Sequence, residues 1–245
     1  MENHIPYFPH KLPLLSTEQM IEVDRLMMDE YQIDLIQMME NAGRCLASLA
    51  NARFLTNIRA AKVIVLAGSG GNGGGAMVCA RRLACWGHEV SVIVTDSDRM
   101  KPIPKHQMQI LEKMGISVSS VADFTGDGFD LIIDGIIGYS LKGHPRGSAR
   151  KMIEWANEQD IPILSLDTPS GIDLTSGTIF QPAIMASATL TLALPKKGLY
   201  EKNVLILRGE LYLGDISVPP SLYAAHSLGL TVDPIFSESD ILRLA

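Results

Sequence analysis

Hydrophobic positions along this 245-residue sequence follow two alternating spacings. Short runs of consecutive apolar, often β-branched residues predict buried strands, whereas apolar residues three or four positions apart predict helices. The predicted strands are residues 62–67, 89–94, 130–133, 161–166, 188–194 and 210–216, the last as an edge strand. The predicted helices between them are residues 76–86, 108–114 and 149–157. This alternation indicates a parallel sheet that is covered by helices on both faces.

Two more helices are predicted ahead of the first strand. Ser16 followed by Gln19 is typical of a capping box, and an apolar stripe continues from Met20. A second apolar stripe covers residues 35–49, and we expect both helices to pack across the sheet or to form a dimer contact. The predicted fold class is therefore α/β, a Rossmann-like three-layer α/β/α sandwich with a mostly parallel sheet and two extra N-terminal helices. Because no repeat or linker divides the chain, we expect a single domain over residues 1–245.

Composition argues against several classes of partner. The net charge of −6 and the pI near 5.5 argue against electrostatic capture of nucleic acid or anionic lipid. No apolar run reaches the roughly 18 residues of a membrane span, and the N-terminal stretch has no signal-peptide core. Cys45, Cys79 and Cys85 lack C-x-x-C spacing and are expected to be buried thiols of a reducing compartment. We therefore expect a cytoplasmic protein.

A glycine-rich segment follows the first predicted strand, with six glycines in the eight residues from Gly68 to Gly75. Glycine lets backbone N–H groups approach a phosphate closely and adopt positive φ. A helix from Ala76 would add the positive end of its dipole. We interpret the segment as an anion site for a nucleotide-type ligand, with a flexible turn as the alternative. The segment also matches the dinucleotide pattern G-x-G-x-x-G, but only weakly, because so many glycines match it in several registers.

Two further loops follow predicted strands, and each begins with an aspartate. Asp134 starts the first of these loops and Asp167 the second, which also contains Ser170. Ligands of open α/β sheets bind at the carboxyl ends of strands, so we expect Asn72, Asp134, Asp167 and Ser170 to meet in one crevice. Lys142 could contact phosphate or transfer a proton. The structural alternative is a set of Asx and Ser turns with a solvated lysine.

These motifs together resemble the NAD(P)H-hydrate epimerase family, whose domain is also known as the YjeF N-terminal domain. The matching segments cover nearly the whole chain: residues 15–20 with Asp24, 39–43, the glycine-rich segment, Asp134 with 138–143, 167–173, 195–198 and 209–215. The family interconverts the S and R epimers of hydrated NADH or NADPH, together written NAD(P)HX. A separate dehydratase can then restore the working cofactor.

The resemblance also implies a set of site residues. It implies substrate contacts from Gly71, Asn72, Gly73, Gly74, Gly75, Gly138, Tyr139, Ser140, Leu141, Lys142, Gly143, His144 and Asp167. It implies a potassium ion held by Asn72, Asp134 and Ser170, whose oxygens suit a hard cation. We hypothesise that Asp167 and Lys142 move a proton on or off the hydroxyl of the carbon that is inverted. From the family we also expect a homodimer formed through the leading helices.

The glycine-rich segment departs from the family pattern Gly-Asn-Asn-Gly-Gly-Asp-Gly at Gly71, Gly75 and Ala76. We expect the missing Asp at position 75 to remove a helix N-cap worth about 1 kcal/mol, and a carboxylate from the edge of the site. Two alternatives stay open. The altered loop favours a catalytically weakened nucleotide-binding or scaffold protein of the same fold, and the match to the dinucleotide pattern suggests a nicotinamide dehydrogenase.

Overall fold

The computed structural model describes residues 5–122, 124 and 126–244, and its strands form one sheet. The first four residues of the N-terminal stretch interpreted above lie outside the described residues. The strands are Lys62–Ala67 (β1), Glu89–Val94 (β2), Ser117–Ser120 (β3), Leu131–Gly135 (β4), Ile163–Leu166 (β5), Ala188–Leu192 (β6), Glu210–Gly214 (β7) and Ile241–Arg243 (β8). Their order across the sheet is β3-β2-β1-β4-β5-β6-β7-β8. All neighbouring pairs are parallel except β7 and β8.

Helices connect these strands and precede them. They are Thr17–Arg25 (α1), Leu35–Ala50 (α2), Gly71–Cys85 (α3), Pro102–Lys113 (α4), Gly147–Glu158 (α5) and the four-residue helices Leu205–Arg208 (α6) and Pro220–Tyr223 (α7). The predicted capping box of α1 is confirmed, because Ser16 Oγ accepts from Gln19 N at 3.2 Å and Gln19 Oε1 accepts from Ser16 N at 3.0 Å. Each of α1 and α2 continues into a π-helical turn. None of the described helices is long and apolar enough to span a membrane.

The side chains of β1 show how the layers are built. Val63 and Val65 point into the core shared with α2 and α3, whereas Ile64 and Leu66 pack in a second core with α5. All four side chains are buried, as a strand covered on both faces requires. The predicted three-layer α/β fold with a mostly parallel sheet is confirmed.

The strand order places a topological switch point between β1 and β4. From β1 the chain moves outward to β2 and β3, and it then returns to β4 on the other side of β1. The two connections leave the sheet in opposite directions, so a crevice opens at the carboxyl ends of these two strands. Gly68 N donates to Gly135 O at 3.0 Å across this crevice, which brings the glycine-rich segment beside the loop after β4.

Several predicted boundaries differ from the structure. The strand expected at the edge, β7, is covered by β8, whose three residues are too few to show a pattern. The polar strand β3, Ser117–Ser120, has no apolar run and was not predicted. Helix α4 begins six residues before its predicted start because a proline is compatible with the first turn of a helix. Cys85, expected to be buried, is exposed, while Cys45 and Cys79 are buried as expected.

Candidate active site

Helix α3 begins inside the glycine-rich segment rather than after it. Its N-cap is Gly70, and Gly74 N donates to Gly70 O at 3.1 Å. None of the glycines from 68 to 75 has a positive φ, so the expected loop with a helix from Ala76 is wrong. These glycines serve close packing instead: a Cβ on Gly73 would lie 1.8 Å from Gly68 O. Gly70 and Gly71 face open space, so their backbone is accessible to a ligand.

Gly75 lies within helix α3, where it cannot act as an N-cap. It is the fifth residue of the helix and is buried. A Cβ at this position would lie 2.8 Å from Leu166 Cδ2, on the residue that precedes Asp167. The expected loss of a cap at position 75 is therefore wrong, because Gly75 supports packing of α3 against the end of β5.

A groove of about 670 Å³ runs along the switch point, and we call it the outer groove. Its lining residues are Ser69, Gly70, Gly71, Asn72, Gly73, Thr95, Asp96, Arg99, Lys101, Ile136, Ile137, Gly138, Tyr139, Ser140, Arg146, Gly147, Ser148 and Ala149. Three cationic side chains and one carboxylate therefore line it. Asp96 Oδ1 accepts from the backbone N–H groups of Asp98 and Arg99 at 3.0 and 3.1 Å. The N-terminus of α3 opens into the same groove, which suits an anionic ligand.

A smaller cavity of about 80 Å³, the inner pocket, adjoins the outer groove. Its lining residues are Met20, Asp24, Leu35, Met38, Met39, Ala42, Gly71, Asn72, Tyr139, Leu166, Asp167, Leu192 and Ile216. Most of these walls are apolar, and the polar side chains are Asp24, Asn72, Tyr139 and Asp167. Gly71, Asn72 and Tyr139 line both cavities, so one ligand could extend from one into the other.

Asp167 is held in a fixed orientation at the end of β5. Its backbone has a φ of 65°, a left-handed conformation that is uncommon for a residue with a side chain. Asp167 Oδ1 accepts from Leu192 N at 3.2 Å, from Thr191 Oγ1 at 3.3 Å and from Lys196 Nζ. No described residue donates to Oδ2, and the side chain lines the inner pocket. One carboxylate oxygen is therefore anchored and the other is available to a ligand.

Lys196 forms a buried ion pair with Asp167. It is fully buried, and its Nζ also donates to Leu192 O at 2.7 Å and to Thr191 Oγ1 at 3.2 Å. The lysine predicted from the sequence to transfer a proton, Lys142, is exposed and lines neither cavity. Only the segment Pro195-Lys-Lys-Gly198 pointed toward Lys196, and nothing in that pattern separates Lys196 from Lys197.

Asp134 is a second buried carboxylate at a strand end. Oδ1 accepts from Ser170 Oγ at 2.6 Å and from Ile136 N at 3.2 Å, and Oδ2 accepts from Ser165 Oγ at 2.8 Å and from Ser170 N at 2.9 Å. Burial raises the pKa of Asp134, while these four hydrogen bonds oppose the rise. No cationic side chain among the described residues pairs with Asp134.

The residues expected to hold potassium fit a hard monovalent cation. Ser170 contacts Asp134 directly, and the Asn72 backbone packs on Gly135, where a Cβ would lie 2.9 Å from Asn72 O. Asn72 Nδ2 donates to Leu166 O at 2.7 Å, and a Cβ at Gly138 would lie 2.4 Å from Asn72 Oδ1. The proposed ligands are thus oxygen-bearing side chains, and they include a buried carboxylate that pairs with no cationic side chain in the described part of the chain.

The remaining predicted contacts divide into two groups. Gly138 and Ser140 line the outer groove, together with the glycine segment up to Gly73. Neither cavity is lined by Gly74, Gly75, Leu141, Lys142, Gly143 or His144. His144 Nδ1 accepts instead from Gln181 N at 2.9 Å, and the His144 ring contacts Phe180 edge to face.

Asp24 was not predicted as a site residue, although it belongs to the first matching motif. It lies in α1, and Tyr139 Oη donates to Asp24 Oδ2 at 2.7 Å. Burial raises the pKa of Asp24. The sequence alone does not distinguish a functional aspartate in a helix from the acidic residues on the polar face of any amphipathic helix.

Comparisons with known proteins find one family model and several relatives that match most of the chain. The family model described as YjeF-related protein N-terminus matches residues 35–198. The chain is 41% identical over 215 residues to an NAD(P)H-hydrate epimerase of Dehalogenimonas lykanthroporepellens, covering 87% of this chain and 86% of that protein. It is 31% identical over 220 residues to a bifunctional NAD(P)H-hydrate repair enzyme of Moorella thermoacetica, covering 86% of this chain and 42% of the enzyme. The crystal structure of the yeast protein ynu0 superposes with a TM-score of 0.82 at 27% identity, covering 95% of this chain and 100% of that one.

Proposed function

The chain belongs to the family with the YjeF-related N-terminus, and on this premise we propose that it epimerises the S and R forms of NAD(P)HX. The observation that carries the proposal is the connection between two cavities of different character. A cationic groove at a helix N-terminus adjoins a mostly apolar pocket that contains the anchored carboxylate of Asp167. That combination suits a ligand with an anionic nucleotide end and a reactive ring.

The outer groove is proposed to hold the diphosphate and the adenosine part of the substrate. The exposed backbone of Gly70 and Gly71 lies at the start of α3, where N–H groups and the helix dipole favour phosphate. Arg99, Lys101 and Arg146 line the same groove and add positive charge. The hydrated nicotinamide ring would then extend past Tyr139 into the inner pocket.

Asp167 is the proposed catalytic residue. As the bond between the ring carbon and its hydroxyl weakens, Asp167 Oδ2 would exchange a proton with the hydroxyl, and the ring nitrogen would stabilise the cation that forms. Lys196 is the positioning residue, because its buried ammonium group pairs with Asp167 Oδ1 and fixes the orientation of the carboxylate. An Asp167→Asn variant that binds the ligand with normal affinity but does not turn it over would support this role. Full activity of the variant would exclude it.

We also propose that Asn72, Asp134 and Ser170 hold a potassium ion. When bound, the ion would offset the charge of Asp134 next to an anionic substrate and would link the loops after β1, β4 and β5. The support is that all three side chains offer oxygen ligands and that the buried Asp134 carboxylate has no cationic partner among the described residues.

The proposal extends to the partners of the protein and to its cellular setting. Residues Ile21, Met28 and Tyr31 are exposed on α1 and the turn that follows it, so we propose a homodimer through this surface, which analytical ultracentrifugation can test. Relatives that carry the name bifunctional repair enzyme make an NAD(P)HX dehydratase the proposed functional partner. The three thiols are free, which supports the proposal of a reducing, cytoplasmic setting.

The direct test is an epimer-exchange assay in potassium buffer. An S-specific dehydratase exhausts the S epimer of NADPHX, and the consumption of the R epimer is then followed with and without the protein. Protein-dependent consumption of R establishes the epimerase. Consumption at the spontaneous rate would instead favour the weakened nucleotide-binding or scaffold protein. The buried, structural position of Gly75 argues for the enzyme, because the altered loop keeps its helix and its open N-terminus.

A further inference from the structure

The inner pocket contains a second carboxyl group besides Asp167. Asp24 is supplied by α1, from outside the sheet, whereas Asp167 follows β5. Both line a cavity of only about 80 Å³, so a ring placed there would be close to both. The site therefore offers two groups that can exchange protons with one ligand, and they come from different structural elements.

The surroundings of the two carboxyl groups differ in charge. Asp167 pairs with the buried ammonium group of Lys196. Asp24 forms no ion pair among the described residues, and its hydrogen-bond donor is the neutral Tyr139 hydroxyl. Burial raises the pKa of Asp24 and the charge of Asp167 acts in the same direction, while Tyr139 and the charge of Lys196 oppose them. Two carboxyl groups in unlike surroundings are the usual arrangement for an acid and a base at one site.

Resting on the epimerase function proposed above, we propose that Asp24 is the second proton-transfer residue, and that it serves the ring face opposite to the one served by Asp167. An epimerase must remove the hydroxyl from one face and return it to the other. A single fixed carboxylate reaches one face only, so inversion by this route needs a partner across the ring.

The proposed inversion needs no reactant other than water. In one direction, protonated Asp24 gives its proton to the ring hydroxyl, and the carbon–oxygen bond breaks with its electron pair going to oxygen. Water leaves, and the lone pair of the ring nitrogen forms a C=N⁺ bond. A second water adds to the same carbon from the other face, the C=N⁺ electrons return to nitrogen, and Asp167 takes the released proton. Proton exchange with solvent resets both carboxyl groups, and the reverse direction exchanges their roles.

The test separates loss of inversion from loss of bond cleavage, using water labelled with ¹⁸O. In Asp24→Asn, we expect epimerisation to fall at least about 100-fold, because general acid–base catalysis typically contributes that much. The remaining carboxyl group should still cleave and re-form the bond on its own face. Protein-dependent ¹⁸O exchange into one epimer is therefore expected to persist within about tenfold of the wild-type rate. Asp167→Asn is the counterpart and should keep exchange into the other epimer.

Two results would overturn the proposal. One is epimerisation by Asp24→Asn within about threefold of wild type, a change too small for a lost acid–base group. The other is an equal loss of exchange and inversion, which is the result for a residue that only positions the ring. Asp29→Asn, an exposed acid in the turn after α1, is the matched control. A wild-type protein that does not speed epimer exchange would instead refute the proposed function itself.

A second variant keeps the proposal testable if Asp24→Asn does not fold. Tyr139→Phe removes a hydrogen bond that lowers the pKa of Asp24, so that pKa should rise. The rate in the direction where Asp24 donates a proton requires its protonated form and falls as pH rises through its pKa. This limb of the pH–rate profile should move to higher pH in Tyr139→Phe, with Asp167 and Lys196 unchanged as the other charges near Asp24. An unmoved limb would overturn the assignment.

Discussion

Asp134 and Asp167 lie at the carboxyl ends of neighbouring parallel strands, and the structure stabilises them in different ways. Asp134 accepts four hydrogen bonds from neutral hydroxyl and backbone N–H groups, which occupy both of its oxygens. Asp167 is paired with a buried lysine through one oxygen, and its second oxygen has no donor in the described part of the chain. The first arrangement suits a fixed carboxylate that ties two loops together beside the proposed ion site. The second suits a carboxylate that must react.

The largest expected effect comes from breaking the ion pair. Lys196→Met would leave Asp167 buried without a cation, and breaking such a pair typically costs about 3–5 kcal/mol in unfolding free energy. We also expect the kcat/KM for epimer exchange to fall at least about 100-fold, because Asp167 would lose the contact that fixes its orientation for proton transfer. Urea unfolding followed by circular dichroism and the exchange assay measure the two effects.

Lys142→Met is the matched control for that experiment. Lys142 is exposed and lines neither cavity, so its removal should change the unfolding free energy by no more than about 0.5 kcal/mol. Activity should stay close to wild type. A large loss of activity in Lys142→Met, with Lys196→Met still active, would restore the hypothesis drawn from the sequence.

An intermediate effect is expected at Asp134, whose hydrogen-bond donors are all neutral groups. Asp134→Asn places an NH₂ group among four donors, so at least one is left unsatisfied, at a cost of about 1–3 kcal/mol. Because Asp134 is the only ionised side chain in the proposed potassium site, potassium should stabilise the wild-type protein but not this variant. Melting temperatures in potassium chloride and in choline chloride of equal ionic strength measure the difference. An equal potassium effect on both proteins would remove Asp134 from the ion site.

The smallest effects are expected when one hydrogen-bond donor to each carboxylate is removed. Ser165→Ala removes a hydrogen bond of 2.8 Å to Asp134, which should cost about 1–2 kcal/mol. Thr191→Val removes a hydrogen bond of 3.3 Å to Asp167 and an acceptor at 3.2 Å from Lys196 Nζ. Both contacts are long and the direct ion pair stays in place, so the expected cost is below about 1 kcal/mol. Chemical denaturation of the two variants side by side gives the ranking. A larger loss in Thr191→Val would show that the lysine alone does not hold Asp167.

The sheet and the polar residues at its strand ends could be predicted from the sequence. Residues 62–67 and 89–94 were predicted with the observed bounds, because both are apolar runs bounded by glycine, proline or polar residues. Asp134 and Ser170 meet because parallel strands end at one edge of the sheet. Strands β3 and β8 were missed because one is polar and the other has three residues.

The parts of the site that depend on tertiary packing could not be predicted. Lys196 follows β6 and reaches Asp167 because β6 pairs with β5 in the sheet, and no local sequence pattern predicts that pairing. Gly74 was assigned to ligand binding, yet a Cβ there would lie 2.3 Å from Met39 Sδ of another helix. Glycine required by a neighbouring helix and glycine required by a phosphate look the same in a sequence.

The pairing of β8 with the N-terminal segment has a consequence for engineering the protein. Phe8 N donates to Arg243 O at 2.9 Å and Arg243 N donates to Pro6 O at 2.8 Å, so the two ends of the described chain run side by side. They meet next to β8, three strands away from β5. A short Gly/Ser linker could join them into a circular permutant whose new termini open in an exposed loop. Reporters joined close to Phe8 and to Arg243 would therefore start from neighbouring positions, three strands away from the strand that precedes Asp167.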